Sequence, residues 1–171
     1  MPMPRLDGKV AVVTGAAAGP KAALGAIFAR GLAAEGAKIV LAATRDCAPV
    51  AAEIVAKGGT AHAVLADMRD EKSVGAMIAE AEKQFGRLDI LVNNAAIGSN
   101  IPPIAIEDID AALWDEFMAV NVRGTFLCVK AAIPGMRRNI TARSSTCPRP
   151  PCCRACRIGC IMSPPRAPSR R

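Results

Sequence analysis

The feature that most constrains the fold is the run KVAVVT at residues 9–14, which leads into a glycine-rich turn and then a helical stretch. A strand that is apolar along its whole length is typical of a parallel sheet with both faces covered. Further strand-like and helical segments alternate along the chain. The predicted strands are residues 9–14, 37–42, 60–66 and 88–92. The predicted helices are residues 22–35, a short helix with Val50 and Ile54 that Gly58-Gly59 ends, residues 74–85 and residues 110 to about 133. This alternation predicts an α/β fold built from right-handed βαβ units.

Helical spacing of apolar residues predicts which faces are buried. In the first helix the stripe is Leu24, Ile27, Phe28, Gly31 and Leu32. In the long last helix, Trp114, Phe117 and Val120 are predicted to lie in the core or at a helix interface. Pro134-Gly135 is expected to end that helix.

The composition changes abruptly near Arg138. Residues 1–136 carry 13 Lys+Arg and 15 Asp+Glu, whereas residues 137–171 carry nine Arg and no acid, five of the seven cysteines and six of the thirteen prolines. The net charge of +7 therefore comes from the end of the chain. We expect one folded domain at residues 1–138 and a basic, disordered tail at residues 139–171.

Two features of the sequence predict the cellular compartment of the protein. The first residues lack the apolar region of a signal peptide, and no uninterrupted apolar run of about 18 residues is present to span a membrane. Cys47 and Cys128 read as isolated thiols. The expectation is a cytoplasmic protein with no membrane partner.

The glycine-rich turn at residues 14–25 has the context of a phosphate-binding loop. Gly15 permits a tight turn, Gly19 permits close approach of a pyrophosphate, and the amide groups that open the next helix face the phosphates. An ordinary glycine-rich turn is the alternative.

The chain resembles the short-chain dehydrogenase/reductase family from residue 6 to about 138. The resemblance is carried by Thr14-Gly15-x-x-x-Gly19, Asp67, Asn93-Asn94-Ala95-Ala96, and Asn121 within VNVRG. It implies a Rossmann-type, doubly wound parallel sheet, incomplete here with about four strands. It also implies hydride transfer between NAD(P) and a small alcohol or ketone, and a homo-oligomer paired through the long last helix.

The resemblance assigns roles to matched positions. Gly15, Gly19 and Gly25 would shape the pyrophosphate turn, with residues 20–23 read as an insertion. Asp67 would accept the adenine amine beside the Met68 backbone. Asn121 would be the catalytic asparagine that holds a proton-relay water. The full set of cofactor-binding positions is Thr14, Gly15, Gly19, Gly25, Arg45, Asp67, Met68, Asn93, Asn94 and Ala95, with no metal ligand.

The charge at the end of the second strand indicates whether the chain prefers NAD or NADP. An NAD enzyme places an acid there to bind the ribose hydroxyls. Here the position is Ala43, followed by Thr44 and Arg45, and Lys21 lies in the turn. A missing carboxylate and a nearby guanidinium favour NADP over NAD. The alternative is that Arg45 and Lys21 are solvated surface charges.

The family's chemistry needs a Ser, a Tyr and a Lys four residues after that Tyr, yet residues 139–171 contain no Tyr and no Lys. A zinc module built on Cys147, Cys152, Cys153, Cys156 and Cys160 lacks the usual paired spacing. A basic arm for nucleic acid lacks aromatic residues for stacking, so no nucleic-acid partner is expected. The rival function is nevertheless a non-enzymatic dinucleotide- or nucleic-acid-binding protein that uses this tail.

A shifted reading frame is the favoured explanation of the tail. Reading the last base of each codon with the first two of the next permits Gly-Lys-Ile-Val-Asn from residues 141–146 and Tyr-x-x-x-Lys from residues 161–166. A Ser is permitted thirteen positions before that Tyr. The hypothesis is a one-base loss near codons 138–140, which leaves an inactive and at best marginal coenzyme-binding fragment. Its fourth strand would present an open apolar edge prone to aggregation.

Overall fold

The computed structural model describes residues 5–19, 23–98 and 103–144, and these form a four-stranded parallel sheet with helices on both faces. The strand order is β3-β2-β1-β4. The bounds of the strands and α-helices are β1 Val10–Thr14, α1 Ala23–Ala34, β2 Lys38–Ala43, α2 Ala48–Ala56, β3 Thr60–Leu65, α3 Glu71–Phe85, β4 Ile90–Val92, α4 Ala111–Phe117 and α5 Thr125–Ser144. A short 3₁₀ helix, Ile106–Asp108, precedes α4, and a π-helix, Met118–Gly124, joins α4 to α5. The Rossmann-type α/β prediction is confirmed.

The sheet separates two hydrophobic clusters because successive strand side chains point to opposite faces. All five residues of β1 are buried. Val12 joins the cluster under α3 and α5, whereas Ala11 and Val13 join the cluster under α1 and α2. Helices therefore cover β1 on both sides, as its continuous apolar sequence predicts.

The predicted apolar stripe of α1 packs on the sheet only in part, at Leu32. Leu24, Ile27 and Phe28 are 63%, 54% and 45% exposed, whereas Ala26 and Ala29 are buried against the sheet. Small residues on the inner face allow the helix to lie close to β1, and the large side chains then point outward. Periodicity located the helix correctly, but residue size decided which face packs.

The last helices differ from prediction at two points. Pro134 lies inside α5, which continues to Ser144, so Pro134-Gly135 does not end the helix. A proline removes one backbone hydrogen bond. Contacts before and after Pro134 hold α5 in place. Leu127 is buried in the core, and Arg138 pairs with Glu82 on α3 at 2.8 Å. Trp114, predicted to be buried or at an interface, has a half-exposed side chain.

The helical stretch Ala111–Asn139 is long and apolar enough to cross a membrane by length and composition, with a mean hydropathy of 1.2. Charged residues interrupt this stretch, so the search for an uninterrupted apolar run in the sequence does not detect it. A core helix of a soluble protein satisfies the same test, and Cys128 and Ala132 of this stretch are buried against the sheet. The finding is thus weak evidence for a membrane segment.

Within the described residues, β4 is the edge strand beside β1. It is two residues shorter than predicted, because its ladder with β1 begins at Ile90. Leu88, just before it, is buried. Asn139 on α5 donates from Nδ2 to the Leu88 carbonyl at 2.8 Å. The helix thus satisfies one carbonyl immediately before the edge strand.

Candidate functional site

A cleft of about 490 Å³ opens at the carboxyl ends of the strands. Its walls come from the segments that follow β1, β2, β3 and β4, with two residues added by α4 and the π-helix. Its lining is Gly15, Ala17, Leu24, Ala43, Thr44, Arg45, Ala66, Asp67, Met68, Arg69, Asn94, Ala95, Ala96, Ile97, Glu116 and Val120. Open α/β sheets bind ligands at this edge, where connections from neighbouring strands diverge.

The turn after β1 is fastened to the segment after β4 by Thr14. The Thr14 side chain is buried, and its Oγ1 accepts from the backbone N–H groups of Asn94 and Ala95, both at 3.0 Å. Asn94 returns two hydrogen bonds from Nδ2, to the carbonyls of Thr14 and Gly15, each at 3.1 Å. These bonds fix the relative positions of two walls of the cleft.

Gly15 and Gly25 allow the backbone to pack at close range. Gly15 has φ +66°, and a Cβ there would lie 2.8 Å from the Ala95 Cα. A Cβ on Gly25 would collide with the Gly15 carbonyl and lie 2.7 Å from Asn94 Nδ2. Gly25 therefore permits close contact between α1 and the turn, and its place after a four-residue insertion stays a prediction. Residues 20–22, which include Lys21, lie outside the described residues.

Asp67 follows β3, and Arg69 binds its carboxylate. The Arg69 Nη2 donates to Oδ2 at 2.7 Å, Nε donates to Oδ1 at 3.0 Å, and the Arg69 backbone N–H donates to Oδ1 at 2.9 Å. The side-chain hydrogen bonds from Arg69 lower the pKa of Asp67 below its ordinary value. The carboxylate is thus ionised at neutral pH and presents acceptors to the cleft.

The end of β2 carries no carboxylate. Ala43, Thr44 and Arg45 line the cleft, and the Arg45 side chain makes no hydrogen bond or ion pair with the described residues. A guanidinium with unused donors can bind a phosphate in two-point geometry. This wall therefore suits an anionic group better than a neutral ribose diol.

Asn121 lies in the π-helix and is held by Ile97 in the segment after β4. Its Oδ1 accepts from the Ile97 N–H at 2.9 Å, and its Nδ2 donates to the Ile97 carbonyl at 3.1 Å. Its own carbonyl accepts from the Thr125 hydroxyl at 2.9 Å. Both polar atoms of the Asn121 side chain thus bind the Ile97 backbone. Because Ile97 lines the cleft, Asn121 positions one of the cleft walls. π-Helical turns are common at functional sites.

Some predicted positions line the cleft, and others do not. Gly15, Arg45, Asp67, Met68, Asn94 and Ala95 line it. Thr14, Gly19, Gly25, Asn93 and Asn121 are not in its lining. Asn93 has a buried Oδ1 with no hydrogen-bond partner among the described residues. Coenzyme contact by the predicted binding residues and the catalytic role of Asn121 stay predictions.

The sequence prediction missed Arg69 and Glu116, which border the cleft. Arg69 is two residues after Asp67, so a local ion pair was a detectable signal. Glu116 is distant in sequence and is brought in by α4, which no local pattern reveals. In the described part of the chain, no group of three or more His, Cys, Asp and Glu could hold a metal. The tail cysteines lie beyond that part.

A family model for short chain dehydrogenase matches residues 9–144 of this chain. The chain belongs to the short-chain dehydrogenase family. A probable short-chain type dehydrogenase/reductase of Bradyrhizobium diazoefficiens is 44% identical over 137 residues, which cover 78% of this chain and 47% of that protein. A 2,5-dichloro-2,5-cyclohexadiene-1,4-diol dehydrogenase of Sphingobium indicum is 42% identical over 76% of this chain and 50% of its own length.

Solved structures of short-chain dehydrogenases show the same likeness. A metagenomic short-chain oxidoreductase in complex with NADP has a TM-score of 0.70 and 36% identity, over 78% of this chain and 59% of that one. A hydroxysteroid dehydrogenase from Escherichia coli has a TM-score of 0.70 and 33% identity, over 79% of this chain and 55% of that one. This chain spans about half the length of the curated relatives that it matches.

Proposed function

We propose that the cleft binds the adenosine and pyrophosphate portion of NAD(P), in a protein of the oxidoreductase class that moves hydride between this coenzyme and a small alcohol or ketone. The observation that carries the proposal is the convergence of Gly15, Asp67 and Asn94 on one cleft at the carboxyl ends of the strands. Backbone approach at Gly15 suits a pyrophosphate, and the ionised Asp67 suits the adenine amine.

NADP is the preferred coenzyme in this proposal. Arg45 borders the cleft with its donors unused by described residues, and the position that an acid occupies in NAD enzymes is Ala43. A ribose 2′-phosphate carries negative charge that a carboxylate would repel and a guanidinium would bind. The metagenomic relative was solved with NADP, which is consistent with this preference.

The described residues bind and orient in this proposal, and they supply no general acid. When bound, the coenzyme supplies the hydride, and Asn121 holds the segment after β4 through Ile97. The printed sequence contains no Tyr. Loss of a general acid lowers the rate by about 10²–10⁴-fold. We therefore expect the 171-residue chain to bind coenzyme without measurable turnover. The shifted-frame explanation, the cytoplasmic location and the homo-oligomer stay predictions.

The substitution Arg45→Ala tests coenzyme choice. We expect NADPH affinity to fall about tenfold, because a charge-assisted contact to the 2′-phosphate is lost. NADH affinity should stay within about twofold, since NADH lacks that phosphate. The measurement is a fluorescence titration of each reduced coenzyme against the full chain.

Arg30→Ala is the matched control for Arg45→Ala. Arg30 pairs with Glu53 at 2.6 Å and does not line the cleft, so its removal subtracts one positive charge elsewhere. It should change neither affinity by more than about twofold. Equal losses of NADPH and NADH binding in Arg45→Ala would show that Arg45 does not read the 2′-phosphate.

A further inference from the structure

Arg69 and Glu116 line the cleft from two different walls, and neither has a role in the coenzyme binding proposed above. Arg69 lies in the loop after β3, whereas Glu116 is on α4. The Arg69 Nη1 donates to Glu116 Oε1 at 3.5 Å, and both side chains are half-exposed. This ion pair therefore joins two walls of the cleft where they are in contact with solvent.

The loop that carries Arg69 is firmly held. The Arg69 Nε donates to Asp67 Oδ1 at 3.0 Å and to Oδ2 at 3.1 Å, and Nη2 donates to Oδ2 at 2.7 Å. The Arg69 carbonyl accepts from Arg123 Nη1 at 3.1 Å. The preceding residue, Met68, is buried and packs against Gly124, where an added Cβ would lie 2.9 Å from the Met68 Cβ. The guanidinium is thus held in place independently of its contact with α4.

The helix that carries Glu116 is held less firmly. None of the seven residues of α4 is buried, and the Trp114 side chain is 52% exposed. Elements with few buried contacts open locally at a low free energy. The helix can therefore move relative to the loop after β3, and such a movement breaks the ion pair.

We propose that the Arg69–Glu116 pair is a clasp across the cleft, closed in the empty and in the coenzyme-bound protein, that opens each time a coenzyme enters or leaves. This inference rests on the proposed coenzyme binding. The cleft has a volume of about 490 Å³ with the pair closed, so the clasp can be closed over a bound adenosine end. The clasp thus sets the rates of binding and release and leaves the affinity unchanged.

The test is stopped-flow fluorescence of NADPH binding to the full chain, and of NADPH release into an excess of NADP. Glu116→Asp keeps the charge but is one methylene shorter, so its carboxylate no longer reaches the guanidinium. The association and dissociation rate constants should both rise about threefold, which is within the range of an exposed ion pair. The dissociation constant should stay within about twofold, because the two changes cancel.

Salt provides a second readout. At about 1 M salt the Debye length is about 3 Å, so the ion pair is weakened in the wild type. The dissociation rate constants of the wild type and of Glu116→Asp should then converge. A purely structural role of Glu116 would leave their ratio independent of salt.

Two further variants are controls for the clasp. Glu71 pairs with Lys130 Nζ at 2.7 Å and does not line the cleft, so Glu71→Asp makes the same change in an exposed ion pair elsewhere. Its rate constants should match those of the wild type. Glu116→Gln separates the clasp from charge. Loss of a negative charge alone accelerates the association of an anionic coenzyme, whereas loss of the clasp also accelerates its release.

Each outcome supports or overturns the clasp. A parallel rise of both rate constants in Glu116→Asp that high salt abolishes supports it. Unchanged rate constants, a rise in association alone, a difference that persists at high salt, or an equal rise in Glu71→Asp overturns it and leaves coenzyme binding intact. If the wild type does not bind NADPH, the proposed function is wrong and this inference falls with it.

Discussion

At the scale of single residues, the cleft depends on positions where a side chain is missing as much as on those where one is present. Gly25 lies against the Gly15 carbonyl, and Gly15 lies against Ala95, so three segments meet with no space for a Cβ. Thr14 and Asn94 then close the junction by hydrogen bonds. The sequence motif predicted a glycine at residue 15 because the positive φ of the turn is a local property, whereas the close contacts with Asn94 and Ala95 are not visible in a local pattern.

Gly25→Ala should disrupt this junction. The new methyl would collide with the Gly15 carbonyl and crowd Asn94 Nδ2, and overpacking of this kind costs about 1–3 kcal/mol in the free energy of unfolding. NADPH affinity should fall with it, since the turn is displaced. Urea unfolding and fluorescence titration measure the two effects.

Gly31→Ala, in the same helix, is the control for Gly25→Ala. Nothing lies within 4 Å of a Cβ at Gly31, so alanine should stabilise the chain by about 0.5–1 kcal/mol through helix propensity. Equal and small effects of the two substitutions would contradict the close packing at Gly25.

At the scale of elements, sequence patterns predicted the bounds of each strand to within about two residues. They failed to predict the buried face of α1 and the end of α5, because tertiary packing decides both. The inner face of α1 is small because the helix approaches β1 closely, and hydrophobicity alone pointed to its large residues. The extension of α5 past Pro134 depends on contacts with α3 and Leu88 that are distant in sequence. Glu116 joined the site for the same reason, since α4 is placed by tertiary packing.

The helices from α4 to α5 also leave apolar side chains exposed at intervals of four residues. Trp114, Met118, Val122 and Phe126 are 43–60% exposed. Exposed apolar patches commonly mark protein interfaces. We expect the chain to self-associate through this surface, as the family resemblance implies.

Phe126→Glu should reduce that self-association, because burial of a charge at an interface is costly. Sedimentation velocity at several concentrations measures the change. Val55→Glu on α2 is the control, since Val55 is similarly exposed at 54% on another helix. An unchanged association in Phe126→Glu, or an equal loss in Val55→Glu, would place the interface elsewhere.

At the scale of the whole molecule, the described residues form one parallel sheet with a cleft at its carboxyl edge, where we propose that the adenosine end of the coenzyme binds. The sheet places four loops around one cleft, and the loop after β3 is joined to the π-helix by Met68 and Arg69. The place of β4 beside β1 was not predictable from strand alternation, because the chain crosses from β3 back to the far side of β1. Substrate choice was not predictable, since no described residue group defines a substrate.

The most direct test of the central claim is a fluorescence titration of NADPH against the 171-residue chain, with displacement by adenosine 2′,5′-bisphosphate. The account predicts a saturable signal that the bisphosphate reverses, because both ligands present adenine and a 2′-phosphate to Asp67 and Arg45. A signal that does not saturate, or one that the bisphosphate leaves unchanged, would contradict the assignment of this cleft to the adenosine end of the coenzyme.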